Sequence, residues 1–356
     1  MMTSELSQLA AVAPWLTAPG PENDVIISSR VRLSRNLADH RFPGQMDEEE
    51  AQSVAEFVAD VVRHELTPEP FDVDAFDLRP SALSDREVGF LLERGSVDRP
   101  LPRRLFLSAN EGAAVHVGGT DHVRIVSNAG GLQLVKALTT VQSMDCVLEN
   151  YLNYAVSLDW GYLSTDIMNL GTAMRASFLA HIPAIAATGR LEPLRASLSK
   201  SGFKLVTPQP LSSEGDGSNL VVLRNLRTLG LDENALVAKL EEYAAKLVHY
   251  ERVAREELLS GRGAEIADAA HRALGILRFA RSLSATETRS LVSDLRLGAV
   301  AGVVNEVAAQ TTTTLFLIIH DNHVCALRRR AGQPVNGEEE IDVARAAVVR
   351  QALAGS

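Results

Sequence analysis

The sequence predicts an α+β protein, with a sheet-forming centre overlaid by helix and an α-helical C-terminal part. Three observations carry this reading. First, RLFLSA, AAVHV and HVRIV follow one another from Arg104, and Val115 and Val117 are answered by Val123 and Ile125 across Gly118-Gly119-Thr120-Asp121. That is the signature of an antiparallel hairpin. Second, Leu134, Leu138, Val141, Met144 and Leu148 recur at three- and four-residue steps, so an amphipathic helix should lie on that sheet. Third, ALGILRFARSL, TRSLVSDLRLGAVAGVVNEV and EEEIDVARAAVVRQAL all have helical periodicity beyond residue 253.

Taken in order, residues 1–24 are punctuated by proline and glycine and read as a lead-in with one helical turn around Leu6 to Leu16. The folded body begins at Val25, where VIISSRVRLSRNL opens on a β-branched run, continues with Arg30, Arg32 and Arg35, and reads as a strand giving way to a loop. Met46 to Leu66 reads as a helix, its positive end served by Asp47-Glu48-Glu49-Glu50. Ser212 to Ser218, SSEGDGS, reads as a mobile surface loop able to act as a lid. After Gly230, Asp232 is the expected N-cap of a long helix with Leu236, Leu240, Tyr243, Leu247 and Tyr250 on its apolar face. The expected division is a lead-in over 1–24, a sheet-containing domain over 25–252 and a helical domain over 253–356.

With 356 residues, 46% of them hydrophobic, the chain can bury a substantial core. A formal net charge of -10 argues against coating nucleic acid or an anionic membrane, so any anion site must be local. The two cysteines, Cys146 and Cys325, sit among apolar neighbours without zinc-ligand spacing and read as buried thiols in a reducing cytosol. No stretch has the length and apolarity of a membrane span, and the N-terminus lacks a signal-peptide pattern. A cytoplasmic location is the expectation.

Two stretches carry candidate chemistry. Arginine offers a planar fork of donors matched to phosphate oxygens, so Ser28-Ser29-Arg30-Val31-Arg32 suits a polyphosphate. Taken alone, such a stretch is more often an ordinary solvated strand edge. In NLGTAMRAS, Gly171, Arg175 and Ser177 can bring backbone amides and a guanidinium to an anion, or form a plain strand-turn connection. Neither a GxxxxGK[ST] loop nor a GxGxxG fingerprint is present.

In order, GPENDVIISSRVRLSRNLADHRFP, DHVRI, NLGTAMRASFLAHIP and SDLRLG resemble the ATP:guanidino phosphotransferase (phosphagen kinase) family, and most its McsB-type protein arginine kinases. The resemblance runs from about Pro21 to the C-terminus. It implies an antiparallel sheet flanked by helices, followed by a helical domain that mediates homodimerisation. It also implies nucleotide contacts from Ser28, Ser29, Arg30, Arg32, Arg124, Arg175, Ala176 and Ser177. A fifth phosphate-clamping arginine of the family falls near Thr207 or Pro208 and is missing here. The substrates implied are ATP or ADP, with Mg2+ carried by the nucleotide and no metal site on the protein. Client proteins presenting arginine or phosphoarginine, and an adaptor protein, are the implied partners.

The acidic positions of the family pattern differ. Its Asn-Glu-Glu-Asp run is here Gly118-Gly119-Thr120-Asp121, with Thr120 at the glutamate that takes the acceptor's proton. A second glutamate corresponds to Gly215, flanked by Glu214 and Asp216, and the family's reactive cysteine corresponds to Asp166. Glu214 and Asp166 are therefore the candidate catalytic carboxylates. The Arg-Asp-x-x-Arg-Ala phosphoarginine segment is here Ile341-Asp342-Val343-Ala344-Arg345-Ala346, which retains Asp342 and Arg345. Nucleotide binding with weak or lost phosphotransfer is the leading expectation. An active protein arginine kinase and a phosphoarginine-binding or scaffolding subunit are the alternatives.

Overall fold

The structure, a computed structural model, describes residues 6, 9, 12–67, 71–335 and 337–355. An eight-stranded antiparallel sheet forms its centre. The strands are β1 (Ile26–Arg35), β2 (Phe76–Leu78), β3 (Arg104–Leu107), β4 (Ala113–Val117), β5 (Val123–Gly130), β8 (Met174–His181), β9 (Phe203–Val206) and β10 (Leu220–Asn225), in the order β2-β3-β4-β5-β1-β8-β10-β9. The remaining pair, β6 (Val156–Ser157) and β7 (Gly161–Tyr162), forms a small separate hairpin. This architecture bears out the expected α+β class.

The helices among the described residues are α1 (Glu48–Glu65), α2 (Asp85–Glu93), α3 (Leu134–Glu149), α4 (Pro183–Ala187), α5 (Leu191–Lys200), α6 (Glu233–Phe279), α7 (Ala285–Val300), α8 (Ala309–Ile318), α9 (Asp321–Arg330) and α10 (Glu338–Ala354). Helices α1, α3 and the first part of α6 cover one face of the sheet, burying Val31, Leu33, Val115 and Ile125 against Val58, Leu138, Met144 and Leu240. On the opposite face, two smaller apolar clusters stand at either end. One joins Ile27 and Leu220 to α7, α8 and α10, and the other joins Leu105 and Val126 to α2 and Ala326 of α9. The cavity that holds the site is lined by members of both, Ile27, Leu220 and Phe316 of the first and Val97 of the second, together with arginines of β1, β8 and β10.

The caps follow the sequence: Asp47 accepts from Glu50 N, Asp232 from Ala235 N and Ser284 from Glu287 N. Helix α6 runs unbroken past residues 252 and 253, with its one non-helical residue at Arg262. Arg296 of α7 is fully buried and binds Asn23 O, Ala309 O and the Thr313 hydroxyl, tying the lead-in to the helical part.

The first strand runs to Arg35 before the chain gives way to a loop, because β5 and β8 pair with it on both sides. Four local expectations change. The Ser212–Ser218 segment is a surface loop only at its tip, since Ser212, Asp216 and Ser218 are buried and Asp216 pairs with Arg289. Tyr250 is 53% exposed and leaves the apolar face of α6, and Cys146 is exposed on α3. Of the helical turn expected around Leu6 to Leu16, Pro14–Leu16 forms a 3-10 turn, whereas residues 7, 8, 10 and 11 lie outside the described residues.

Candidate active site

Strand alternation and register assemble the site. Residues two apart on a strand share a face, and directly paired residues of neighbouring strands do as well. Arg30 and Arg32 therefore point the same way from β1. Arg32 pairs with Arg175 of β8, Ser34 pairs with Arg124 of β5, and Ser177 pairs with both Arg30 and Arg224 of β10. Guanidinium groups from four strands thus gather on one face. Arg30, Arg32, Arg175 and Arg224 line a cavity of about 720 Å3 together with Ser28 and Ser177. Gly171 shapes the approach to β8: its φ is +104°, and a Cβ there would sit 2.5 Å from Thr228 O.

Packing these cations together is costly without an anion. Burial, then repulsion from Arg124, pulls the Arg32 guanidinium down to about 9. Burial also lowers Arg124 and Arg175, the latter with repulsion from Arg224. His116, opposite Arg124 on β4, is held down to about 3 by burial and Arg124, so it is neutral. Among the described residues, neither of its ring nitrogens has a hydrogen-bond partner, nor do the Nε atoms of Arg124, Arg175 and Arg224. One carboxylate enters the group: Asp98 Oδ2 lies 3.2 Å from Arg30 Nη2, 3.1 Å from Arg32 Nη1 and 3.8 Å from Arg124 Nη1. The Arg30 guanidinium, with Arg32 behind it, holds that carboxyl far below the usual range. A cluster of donors with this geometry is suited to a polyanion such as a chain of phosphates.

The structure brings together Ser28, Arg30, Arg32, Arg124, Arg175 and Ser177, but not the side chains of Ser29 and Ala176. Alternation turns those two to the other face. There Ser29 Oγ donates to Gly131 O and accepts from Gln133 N, and Ala176 is fully buried in the core. Arg35 also faces away, held by Asp145 of α3 and lying 3.5 Å from the Tyr162 ring centroid.

The candidate carboxylates are dispersed. Asp166 lies close enough to Arg175 to raise its basicity, and it accepts a bond from Met168 N. Asn169 in the same turn accepts from Arg175 Nη2 at 3.0 Å. The Thr120 carbonyl accepts from Thr165, next to Asp166, so the Thr120 and Asp166 segments adjoin. Glu214 is 78% exposed at the loop tip, paired with Arg195 and outside the cavity lining. In the C-terminal segment, Arg345 is 1% exposed and spends its donors on Ile319 O, Leu283 O, Asp342 and Asp321, so its guanidinium has no open side for a ligand.

Sequence reasoning missed Arg224, Asp98 and His116. A usable signal existed for His116 alone, since the Val115–Val117 hairpin register places it opposite Arg124. Arg224 and Asp98 reach the site through long-range pairing that no local pattern reports.

A family model described as "ATP:guanido phosphotransferase, C-terminal catalytic domain" matches residues 77–254, and one described as "Protein-arginine kinase McsB C-terminal domain" matches residues 263–356. A protein-arginine kinase from Desulforamulus reducens is 34% identical over 95% of this chain and 95% of its own length. One from Geobacillus sp. (strain WCH70) is 32% identical over 96% of this chain and 94% of its own. Among solved structures, the duplicated taurocyamine kinase of Schistosoma mansoni aligns with a TM-score of 0.57 at 20% identity, over 76% of this chain and 38% of that protein. Lombricine kinase aligns with a TM-score of 0.54 at 16% identity, over 68% of this chain and 70% of its own. At these identities the solved structures speak for the fold.

Proposed function

Because the chain belongs to the ATP:guanido phosphotransferase family, on its protein-arginine kinase branch, we propose that it binds ATP or ADP through the arginine clamp, with phosphotransfer to protein arginine weak or lost. The observation that carries this reading is the convergence of Arg30, Arg32, Arg124, Arg175 and Arg224 on one sheet face beside a cavity of about 720 Å3. The unpartnered nitrogens of that face fit a triphosphate chain, whose oxygens supply the acceptors they lack. Arg224 takes up the role of the family arginine missing near Thr207. Mg2+ would arrive on the nucleotide.

In this reading the chain's own residues divide as follows. Arg30, Arg32, Arg124 and Arg175 neutralise the phosphates and fix the γ-phosphoryl in line, Ser28 and Ser177 border the chain, and Asn169 orients Arg175. Thr120 has no charge with which to hold an acceptor guanidinium or take its proton. A second reading, an active protein arginine kinase, is favoured by Asp166, an acid beside Arg175 that can face an incoming guanidinium. Glu214 joins it only if the loop tip folds inward.

Domain limits of 1–24, 25–252 and 253–356, a homodimer through the helical part, client proteins and an adaptor complete the proposal. Reading the C-terminal segment around Asp342 and Arg345 as a phosphoarginine site requires those two residues to exchange their internal bonds for the ligand. The deciding experiment is transfer of labelled γ-phosphate to an arginine-rich protein, run beside calorimetric ADP binding. ADP binding with acid-labile product at or near background supports the leading reading, robust product supports the active enzyme, and failure to bind ADP rejects both.

A further inference from the structure

The clamp carries an anion of its own. Asp98 stands on the segment between α2 and β3, outside the sheet, and its Oδ2 receives Arg30 and Arg32 from β1 at 3.2 and 3.1 Å while Arg124 of β5 stands at 3.8 Å. One oxygen thus collects three guanidinium groups from two adjacent strands, which is how a phosphate oxygen on this face would be held. Arg175 lies outside this grouping and gives its bond to Asn169 instead. Asp98 itself lines the same cavity as Arg175 and Arg224, so any oxyanion reaching the full set meets its carboxylate.

We propose that Asp98 is an affinity-setting residue of the clamp, an internal competitor whose carboxylate must leave Arg30 and Arg32 before an external polyphosphate can engage them. This rests on the reading of the cluster as a nucleotide site, and it adds a determinant that opposes binding. Like charge between Asp98 and a polyphosphate drives the exchange: both cannot share Arg30 and Arg32, so entry of one turns out the other. Loss of the carboxylate charge frees two guanidinium groups and removes the repulsion together.

The test measures binding of tripolyphosphate and of ATP to the full chain by calorimetry, in wild type, Asp98→Asn, Asp98→Ser and Asp98→Glu. The expected result is binding of tripolyphosphate at least tenfold tighter in the asparagine and serine variants, with a steeper salt dependence, and within about threefold of wild type in the glutamate variant. Equal or weaker binding in both neutral variants overturns the proposal. Tighter tripolyphosphate with no ATP binding in any protein supports the competitor and rejects the nucleotide reading. Equal binding of both probes throughout rejects the competitor and leaves that reading standing, and binding of neither probe rejects both. Hydrogen exchange on wild type serves as a second readout that needs no variant. Tripolyphosphate should speed exchange of amides at 95–99 while slowing those of β8 and β10, and protection of 95–99 overturns the proposal.

Discussion

A guanidinium two residues along a strand from another shares its face, and that single fact separates Arg30, Arg32 and Arg175 from their neighbours Ser29 and Ala176. Arg30→Ala and Arg175→Ala should each weaken ADP binding at least tenfold, about 1.4 kcal/mol, by calorimetry. Ser29→Ala should leave ADP affinity within twofold yet cost about 1 kcal/mol of stability in urea, because Ser29 links Gly131 O to Gln133 N at the start of α3. Equal loss of ADP binding in all three would deny the two faces different jobs. Thr120→Glu returns a carboxylate beside Asp166 and should raise labelled phosphotransfer by tenfold or more with ADP affinity unchanged. No gain from that variant would remove Thr120 as the position that limits phosphotransfer. The second family glutamate is harder to restore, since Gly215 has φ +78° and a side chain there is strained.

At the scale of elements, α6 and α4 meet through one acid. Glu251 of α6 is fully buried and accepts from Ala184 N and Ile185 N at the first turn of α4. Burial pushes its carboxyl up to about 7, against two amide donors that favour the charge. A carboxyl raised in the folded state favours folding below its unfolded value and loses that advantage as pH climbs to about 7. The shift corresponds to roughly 3 kcal/mol across that window. Glu251→Gln should therefore flatten the pH dependence of unfolding free energy between about pH 4.5 and 7, and an unchanged profile would remove Glu251 from the account. Pairing also sets the length of β1: β5 and β8 supply partners through Arg35, an extent that no local propensity of Arg-Val-Arg-Leu-Ser-Arg announces.

Over the whole molecule, one cavity draws its lining from Leu16 of the lead-in, Ser177 and Val222 of the sheet, Pro208 before the Ser212 loop, and Thr313 and Phe316 of α8. A ligand filling it should couple the sheet to the helical part. Saturation with ADP at about one hundred times its Kd should add about 2.7 kcal/mol to unfolding in a single transition, with slowed hydrogen exchange in both β8 and α8. Protection confined to the strands would limit the ligand to the clamp. Arg296, with its bonds to Asn23 O, Ala309 O and Thr313, links the lead-in, α7 and α8.

The sequence by itself determined the class, the hairpin and the cap at Asp232, and it set Arg30, Arg32, Arg124 and Arg175 in ordered motifs, because period, capping chemistry and motif order are local and survive without coordinates. Only the tertiary structure decided which of those side chains share a face, that Arg224 joins them and that Asp98 sits among them. It also showed that Arg345 is enclosed by its own carboxylates and carbonyls. The reason is physical: a residue's neighbours across a sheet lie tens to hundreds of positions away, and the electrostatics of a site depend on those neighbours rather than on the residues beside it in the chain.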